Sequence, residues 1–291
     1  MDLFFQQVLS GLATGAIYAC IALAVVMIYQ AIDHFNFAQG EMAMFSTFLA
    51  WQMIHWGVPY WVAFIVCIAI SFVGGMAIER IVFGPIHDAP VLSHVIVFIA
   101  LFSVFNSMAG FIWEFTIKEF PSPFPATTPF ETNLIGMHEL GIIFVTLIML
   151  GLIWLFFRFT PVGLAMRAAA ANPDSARLVG VSVKWMLALG WGLAAAIGAV
   201  AGMMIAPIVF LEPNMMLGIL LYGFAGAVLG GLTSPGGAVV GGFIVGVSEN
   251  LAGTYLPAGS ELKLTFALIL IVGVLLVRPS GIFGRTVVSR V

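Results

Sequence analysis

Charge is what this sequence has least of. Asp, Glu, Lys and Arg make up 8% of its 291 residues against 62% hydrophobic, and the mean hydropathy is +1.14. A chain so poor in charge cannot face water on every side, which excludes a soluble globular protein. Ten Lys and Arg against thirteen Asp and Glu form no basic stripe, which excludes nucleic-acid binding. Cysteine is nearly absent. Cys20 and Cys67 both lie inside apolar runs and read as small buried hydrophobes rather than a disulfide or a metal pair. His34, His55, His87, His94 and His138 are scattered with no HExxH spacing, so no metal site and no catalytic residue is assigned. Glycine is plentiful, yet no glycine-rich stretch ends in the Lys-Ser/Thr of a phosphate-binding loop, so the chain is expected to hold no cofactor and to hydrolyse nothing itself. The first residues lack Lys and Arg, so no cleavable signal is expected and the first apolar run is retained as a span.

Long apolar runs fill the rest. A helix needs about 20 residues to cross a bilayer. No stretch is left over for a separate soluble domain, so 1–291 is read as a single transmembrane domain: all-α, polytopic, with about eight or nine transmembrane helices. Spans are expected near 8–29, 42–55, 61–83, 92–113, 141–157, 186–209 and 262–277, with a glycine-rich helix pair across 222–249. Counting the break at Ser234 as a turn gives nine spans and an outside N-terminus. A re-entrant second span gives eight and an inside one.

Four of the ten basic residues, Arg158, Arg167, Arg177 and Lys184, fall in the polar interruption 158–185, which must be a loop on the cytoplasmic face. Asn172 can cap a helix there, Pro173 suits its first position, Asp174 lies near the positive dipole end and Gly180 supplies a stop. The result is a short surface helix over about 173–179, with Ala176, Leu178 and Val179 as an apolar patch. Locally it is either a connector or an element built to present something.

A second polar cluster, Asp33 to Glu41, is too polar for lipid and too short for a domain. Asn36, Gln39, Gly40 and Glu41 either form a helix break facing a translocation path or an ordinary turn capping the second span. Ser103, Asn106 and Ser107 share one region of the fourth span and either line a path or bond to neighbouring helices. Four prolines between 114 and 139 suggest a semi-rigid outer loop. Gly226 and Gly230, and Gly237 and Gly241, repeat at the spacing that lets helix backbones approach closely. Tyr222 opens that stretch and Glu249 closes it, either in a water-filled vestibule or at the interface.

The order Thr160, Pro161, Gly163, then Arg167 to Ala170, Asn172, Pro173, Ala176 and Gly180 resembles the coupling segment of ABC importer permeases, and most closely the permease subunits of the branched-chain amino acid uptake family. Asn36 to Glu41 and the glycine-rich pair resemble the same family, so three motifs in order cover nearly the whole chain. This chain has Ala171 where members often carry an acidic residue, and Gln39 where His is frequent. The resemblance implies an ABC importer permease with a cytoplasmic coupling helix, working by alternating access in a bacterial-type cytoplasmic (inner) membrane. It implies a second homologous permease subunit or a second copy, two cytoplasmic ATPase subunits that hold ATP and Mg, and an extracytoplasmic solute-binding protein. Thr160 to Gly180, including Asp174 and Arg177, would then couple to the ATPase. The implied substrate is a branched-chain or other hydrophobic amino acid; relatives in the wider family move urea, short amides or aromatic carboxylates. The competing class is a stand-alone ion-coupled carrier or channel, which would carry acids deep in its spans, whereas here they mostly sit at expected span ends.

Overall fold

The computed structural model describes residues 2–32, 34–87, 89–125, 135–256 and 262–284. Among the described residues all regular structure is helical, apart from one isolated antiparallel bridge between Lys118 and Leu211. In chain order the helices are α1 (Asp2–Ile32), α2 (Gln39–His55), α3 (Tyr60–Ile78), α4 (Val91–Trp113), α5 (Met137–Phe159), α6 (Pro161–Ala171), α7 (Pro173–Leu178), α8 (Val183–Val209), α9 (Met216–Gly230), α10 (Pro235–Tyr255) and α11 (Lys263–Val277).

The expected spans are all present as helices, but three features differ from the sequence reading. Past Ile78, α3 continues through a π-turn, Glu79–Phe83, and a 3-10 turn, Gly84–Ile86, so its apolar run extends over Tyr60–Ile86. The polar stretch after α5 also holds two helices rather than one, because Thr160 caps a first helix before Asn172 caps the second. Helix α5 itself opens at Met137, ahead of the expected 141, since Glu139 accepts the Gly136 N–H at 3.0 Å and steadies the first turn.

Length sorts the helices. The apolar segments of α1, α3, α4, α5 and α8 are each long enough to cross a membrane, whereas α9 and α11 are apolar but only 15 residues long. Among the long ones α1 and α8 are mostly buried, and α3, α4 and α5 are mostly exposed. Apolar side chains turned outward along a helix of spanning length belong against lipid.

The chain divides into two compact units. The larger comprises Met27–Pro121 and Val145–Met216, and its spine is α8, against which α2 and α3 pack, with α4 on α2. Gly190, Gly192, Ala194, Ala195 and Gly198 give α8 the small side chains that close packing needs. Phe83 lies between Phe98 and Trp191 at centroid separations of 4.7 and 4.6 Å, filling the space at one end of that spine. The smaller unit comprises Met1–Val26, Ser122–Phe144 and Leu217–Val291. Within it α10 packs on α11 and lies against the first part of α1 and against α9, with Ala22, Val26, Ala227 and Ala238 forming a small buried cluster.

Candidate functional site

In the larger unit the turn before α2 is built by Asn36, whose Oδ1 accepts the Ala38 N–H at 3.0 Å and folds the chain into the helix start. Its polar side chains point inward. Asn36, Gln39, Gly40 and Glu41 are all buried, Glu41 with only 1% exposure. Gln39 donates from Nε2 to the Ala194 carbonyl in the middle of α8 at 2.9 Å, and Gly198 lacks the side chain that would occupy that space. Asn106 on α4 donates from Nδ2 to Glu41 Oε2 at 3.3 Å, to the Pro213 carbonyl at 3.0 Å and to Asn214 Oδ1 at 3.0 Å. One amide thereby ties α2, α4 and the loop after α8 around a carboxylate. Ser103 and Ser107, by contrast, are exposed, and Ser103 bonds only to the Ile99 carbonyl of its own helix.

The smaller unit holds a second buried carboxylate. Glu249 on α10 is 5% exposed; it accepts from the Tyr18 hydroxyl at 2.8 Å and pairs with Lys263 at 3.3 Å. Tyr222 stacks on Tyr18 with centroids 5.0 Å apart, so three of the four groups are aromatic or acidic and the cation comes from the first turn of α11. Sequence reasoning named Tyr222 and Glu249 but missed Tyr18 and Lys263. Nothing in an apolar run marks which tyrosine meets a distant acid, although a lone cation opening the last span was a signal.

The glycines form a seam in the same unit. A Cβ added at Gly226 would lie 2.7 Å from the Gly242 Cα, and one at Gly241 would collide with the Gly226 carbonyl oxygen; Gly230 and Gly237 face each other in the same way. Helices α9 and α10 meet backbone to backbone. Ser234 caps α10 by accepting the Gly237 N–H at 3.1 Å, and the tail returns to this point: Ile282 and Phe283 donate their N–H groups to the Leu229 and Gly230 carbonyls at 2.8 and 3.0 Å.

Both short helices between α5 and α8 are capped at their N-termini by side chains. Thr160 Oγ1 accepts the Gly163 N–H at 3.0 Å, with Pro161 at the first position of α6. Asn172 Oδ1 accepts the Ser175 N–H at 2.9 Å, with Pro173 at the first position of α7. Asp174 and Arg177 pair across one turn at 3.1 Å. Gly180 takes φ +83, and Val181 donates to the Ala176 carbonyl at 3.0 Å, which ends α7 with a left-handed residue. The expected apolar patch is corrected in one respect. Ala176 is 3% exposed and packs with Ala169 and Val183, so it anchors α7 from beneath, while Leu178, 88% exposed, and Val179 project from it. Arg158 and Arg167 are exposed.

Among the described residues no group of three His, Cys, Asp or Glu side chains converges as a metal site. Folding does bring His34 and His94 together, with ring centroids 5.0 Å apart. Cys67 is buried with Ser46 and Ser71, and Cys20 is buried separately. Asp33 and Pro129, the last of the four prolines in the expected outer loop, lie outside the described residues.

Residues 7–275 match the family described as "Branched-chain amino acid transport system / permease component", and the chain belongs to it. It is a multi-pass membrane protein of permease type. Among its relatives, the high-affinity branched-chain amino acid transport system permease protein LivH of Salmonella typhimurium is 31% identical, covering 99% of this chain and 98% of that one. Pseudomonas aeruginosa BraD, a protein of the same description, is 30% identical with the same coverage, and a probable LivH permease of Methanocaldococcus jannaschii is 27% identical, covering 97% of this chain and 94% of its own. A solved structure, PsaBC from Streptococcus pneumoniae in complex with Fab, shares the fold at a TM-score of 0.51 and 12% identity, covering 93% of this chain and 91% of that one.

Proposed function

We propose that this chain is the transmembrane permease subunit of an ATP-driven, binding-protein-dependent importer of branched-chain or other hydrophobic amino acids in a bacterial-type cytoplasmic membrane. It works with a second permease subunit or a second copy, two cytoplasmic ATPase subunits that hold ATP and Mg, and an extracytoplasmic solute-binding protein. The names of its relatives support the amino acid over urea, short amides or aromatic carboxylates. Helices α1 to α5 and α8 to α11 would supply the membrane segments, nine if α2 crosses and eight if it re-enters.

The observation that carries the reading is the construction of α7. A six-residue helix has no stability of its own, yet this one is capped at both ends and anchored through Ala176, while Leu178 and Val179 face outward. A lever needs that combination of a firm root and an apolar surface for another protein to grip. ATP-driven closure of the ATPases would push on α7, α6 would carry the push to α8, on which it packs, and the helices would reorient in alternating access. Within the larger unit the polar groups around Glu41, and within the smaller those around Glu249, are of the kind that water and substrate satisfy during transport.

Buried Glu41 and Glu249 are also what an ion-coupled carrier requires. One reconstitution separates the two. Vesicles holding the permease pair, binding protein and ATP should take up leucine only when the ATPases are present. Uptake at a comparable rate without ATPases, driven by a proton or sodium gradient, would establish the carrier instead.

A further inference from the structure

A cavity of about 540 Å³ opens where α3 ends and α8 begins, lined among others by Glu79, Arg80, His87, Arg177, Lys184 and Leu187. Its mouth is cationic. Arg80, Arg177 and Lys184 are all exposed, while Glu79, the one lining carboxylate among the described residues, is buried. Arg177 already holds Asp174 at 3.1 Å. That leaves two exposed cations, Arg80 and Lys184, against one described lining carboxylate, Glu79, so cationic charge is in excess and open to an anion.

The cavity sits at the level of lipid headgroups. The segments Tyr60–Ile86 and Val183–Val209 are both long and apolar enough to cross a membrane, so their adjoining ends mark one boundary of the hydrocarbon. Trp185 is exposed at that boundary, as interfacial tryptophans are, and the Arg80 guanidinium lies 3.7 Å from its ring centroid, which holds the cation in place. Below it, Val66, Ile70 and Val73 are exposed in a row at helical spacing along α3, and exposed Ile81 continues the apolar surface beside Arg80. A cationic mouth above an aliphatic track has the shape of a phospholipid.

We propose that this cavity binds the phosphate of an anionic phospholipid, with Arg80 and Lys184 on the headgroup and an acyl chain along the α3 row. An acidic segment of a partner protein would account for the cations but would leave the aliphatic row without an occupant. The anionic inner leaflet of a bacterial-type membrane supplies the ligand, and basic pockets between membrane helices are suited to it.

The test is native mass spectrometry of the full chain from mixed micelles of equal phosphatidylcholine and phosphatidylglycerol. Each cation at a membrane surface favours anionic lipid by roughly fivefold, so the wild type should retain phosphatidylglycerol over phosphatidylcholine by about tenfold or more. R80Q/K184Q should bring that ratio close to one. Both side chains are exposed, and an unchanged thermal midpoint would show that the variant is folded; R80Q and K184Q singly, each with a partial loss, serve if the double variant is not. No preference in the wild type, or an equal preference in the variants, overturns the proposal. So does displacement of the retained lipid by millimolar inorganic phosphate, which would make the cavity a free-anion site. Lipid retention unchanged while R80Q/K184Q loses co-purifying ATPase would assign the cations to a protein partner and overturn it as well.

Discussion

Tyr18 donates a 2.8 Å hydrogen bond to Glu249 across 231 residues of sequence, and Lys263 holds the other carboxylate oxygen at 3.3 Å. The three helices of the smaller unit that carry them are joined at one buried group. Removing a single donor leaves the carboxylate its other partner, so Tyr18→Phe should cost roughly 1 kcal/mol. Lys263→Met should also cost little, because the Lys side chain is more than a third exposed and screened by solvent. Tyr18→Phe with Lys263→Met strands the acid, and the pair should be worse than the sum of its parts. Thermal unfolding of the four proteins in detergent measures this; additivity would mean that the two donors do not share Glu249.

Asn106 makes the corresponding junction in the larger unit. Asn106→Ala removes the amide that reaches Glu41, Pro213 and Asn214, and should destabilise by roughly 1–3 kcal/mol with a parallel fall in uptake. Asn106→Asp should be worse, since it sets a second carboxylate beside buried Glu41. Equal thermal midpoints for the wild type and Asn106→Ala would show that the amide carries no load.

The glycine seam offers a matched pair. In a helix, Gly→Ala ordinarily stabilises by about 1 kcal/mol. Gly236→Ala meets nothing within 4 Å and should follow that rule, whereas Gly241→Ala drives its Cβ into the Gly226 carbonyl and should reverse the sign. Detergent unfolding midpoints that move the same way for both would exclude backbone contact between α9 and α10.

Helix α7 separates anchoring from presentation. Leu178→Asp with Val179→Asp changes only exposed side chains, so the protein should insert and fold while ATP hydrolysis no longer drives uptake. Ala176→Asp buries a charge against Ala169 and Val183 and should loosen the segment, read as faster proteolysis between Arg167 and Lys184. Coupled uptake at the wild-type rate in the Leu178/Val179 variant would remove the lever role.

Backbone strain marks the ends of α4 and α8. Glu114 and Phe210 have φ of 64 and 63 with extended ψ, a region that suits glycine, and both lie close to the bridge between Lys118 and Leu211. Relief of such strain is worth roughly 1–3 kcal/mol. Glu114→Gly should therefore raise the unfolding midpoint despite the added chain freedom, and a lowered midpoint would show that the conformation is not strained.

The helices are legible because apolar runs bounded by Pro, Gly and charge leave little choice, and the cap at Asn172 follows from rules that act within four residues. Thr160 and Ser234 obey the same rule, yet α6 is not legible as a helix of its own, since its apolar face shows once α8 is there to receive it. The inward aim of Gln39, the reach of Asn106 and the partners of Glu249 were not legible. Each depends on which residue of a distant helix stands opposite, and in a chain with hydrophobic residues almost everywhere, periodicity does not distinguish a buried face from a lipid-facing one. Ala176 shows the limit in small: its neighbours Leu178 and Val179 are equally apolar, and only packing decides which is root and which is tip.

The N–H groups of Ile282 and Phe283 close on carbonyls at the end of α9 that no residue of that helix can satisfy. Leu229 and Gly230 are buried, and buried carbonyls need a protein donor. During synthesis α9 is made before its stopper, so the carbonyls at its end stay open until residues 282 and 283 have followed.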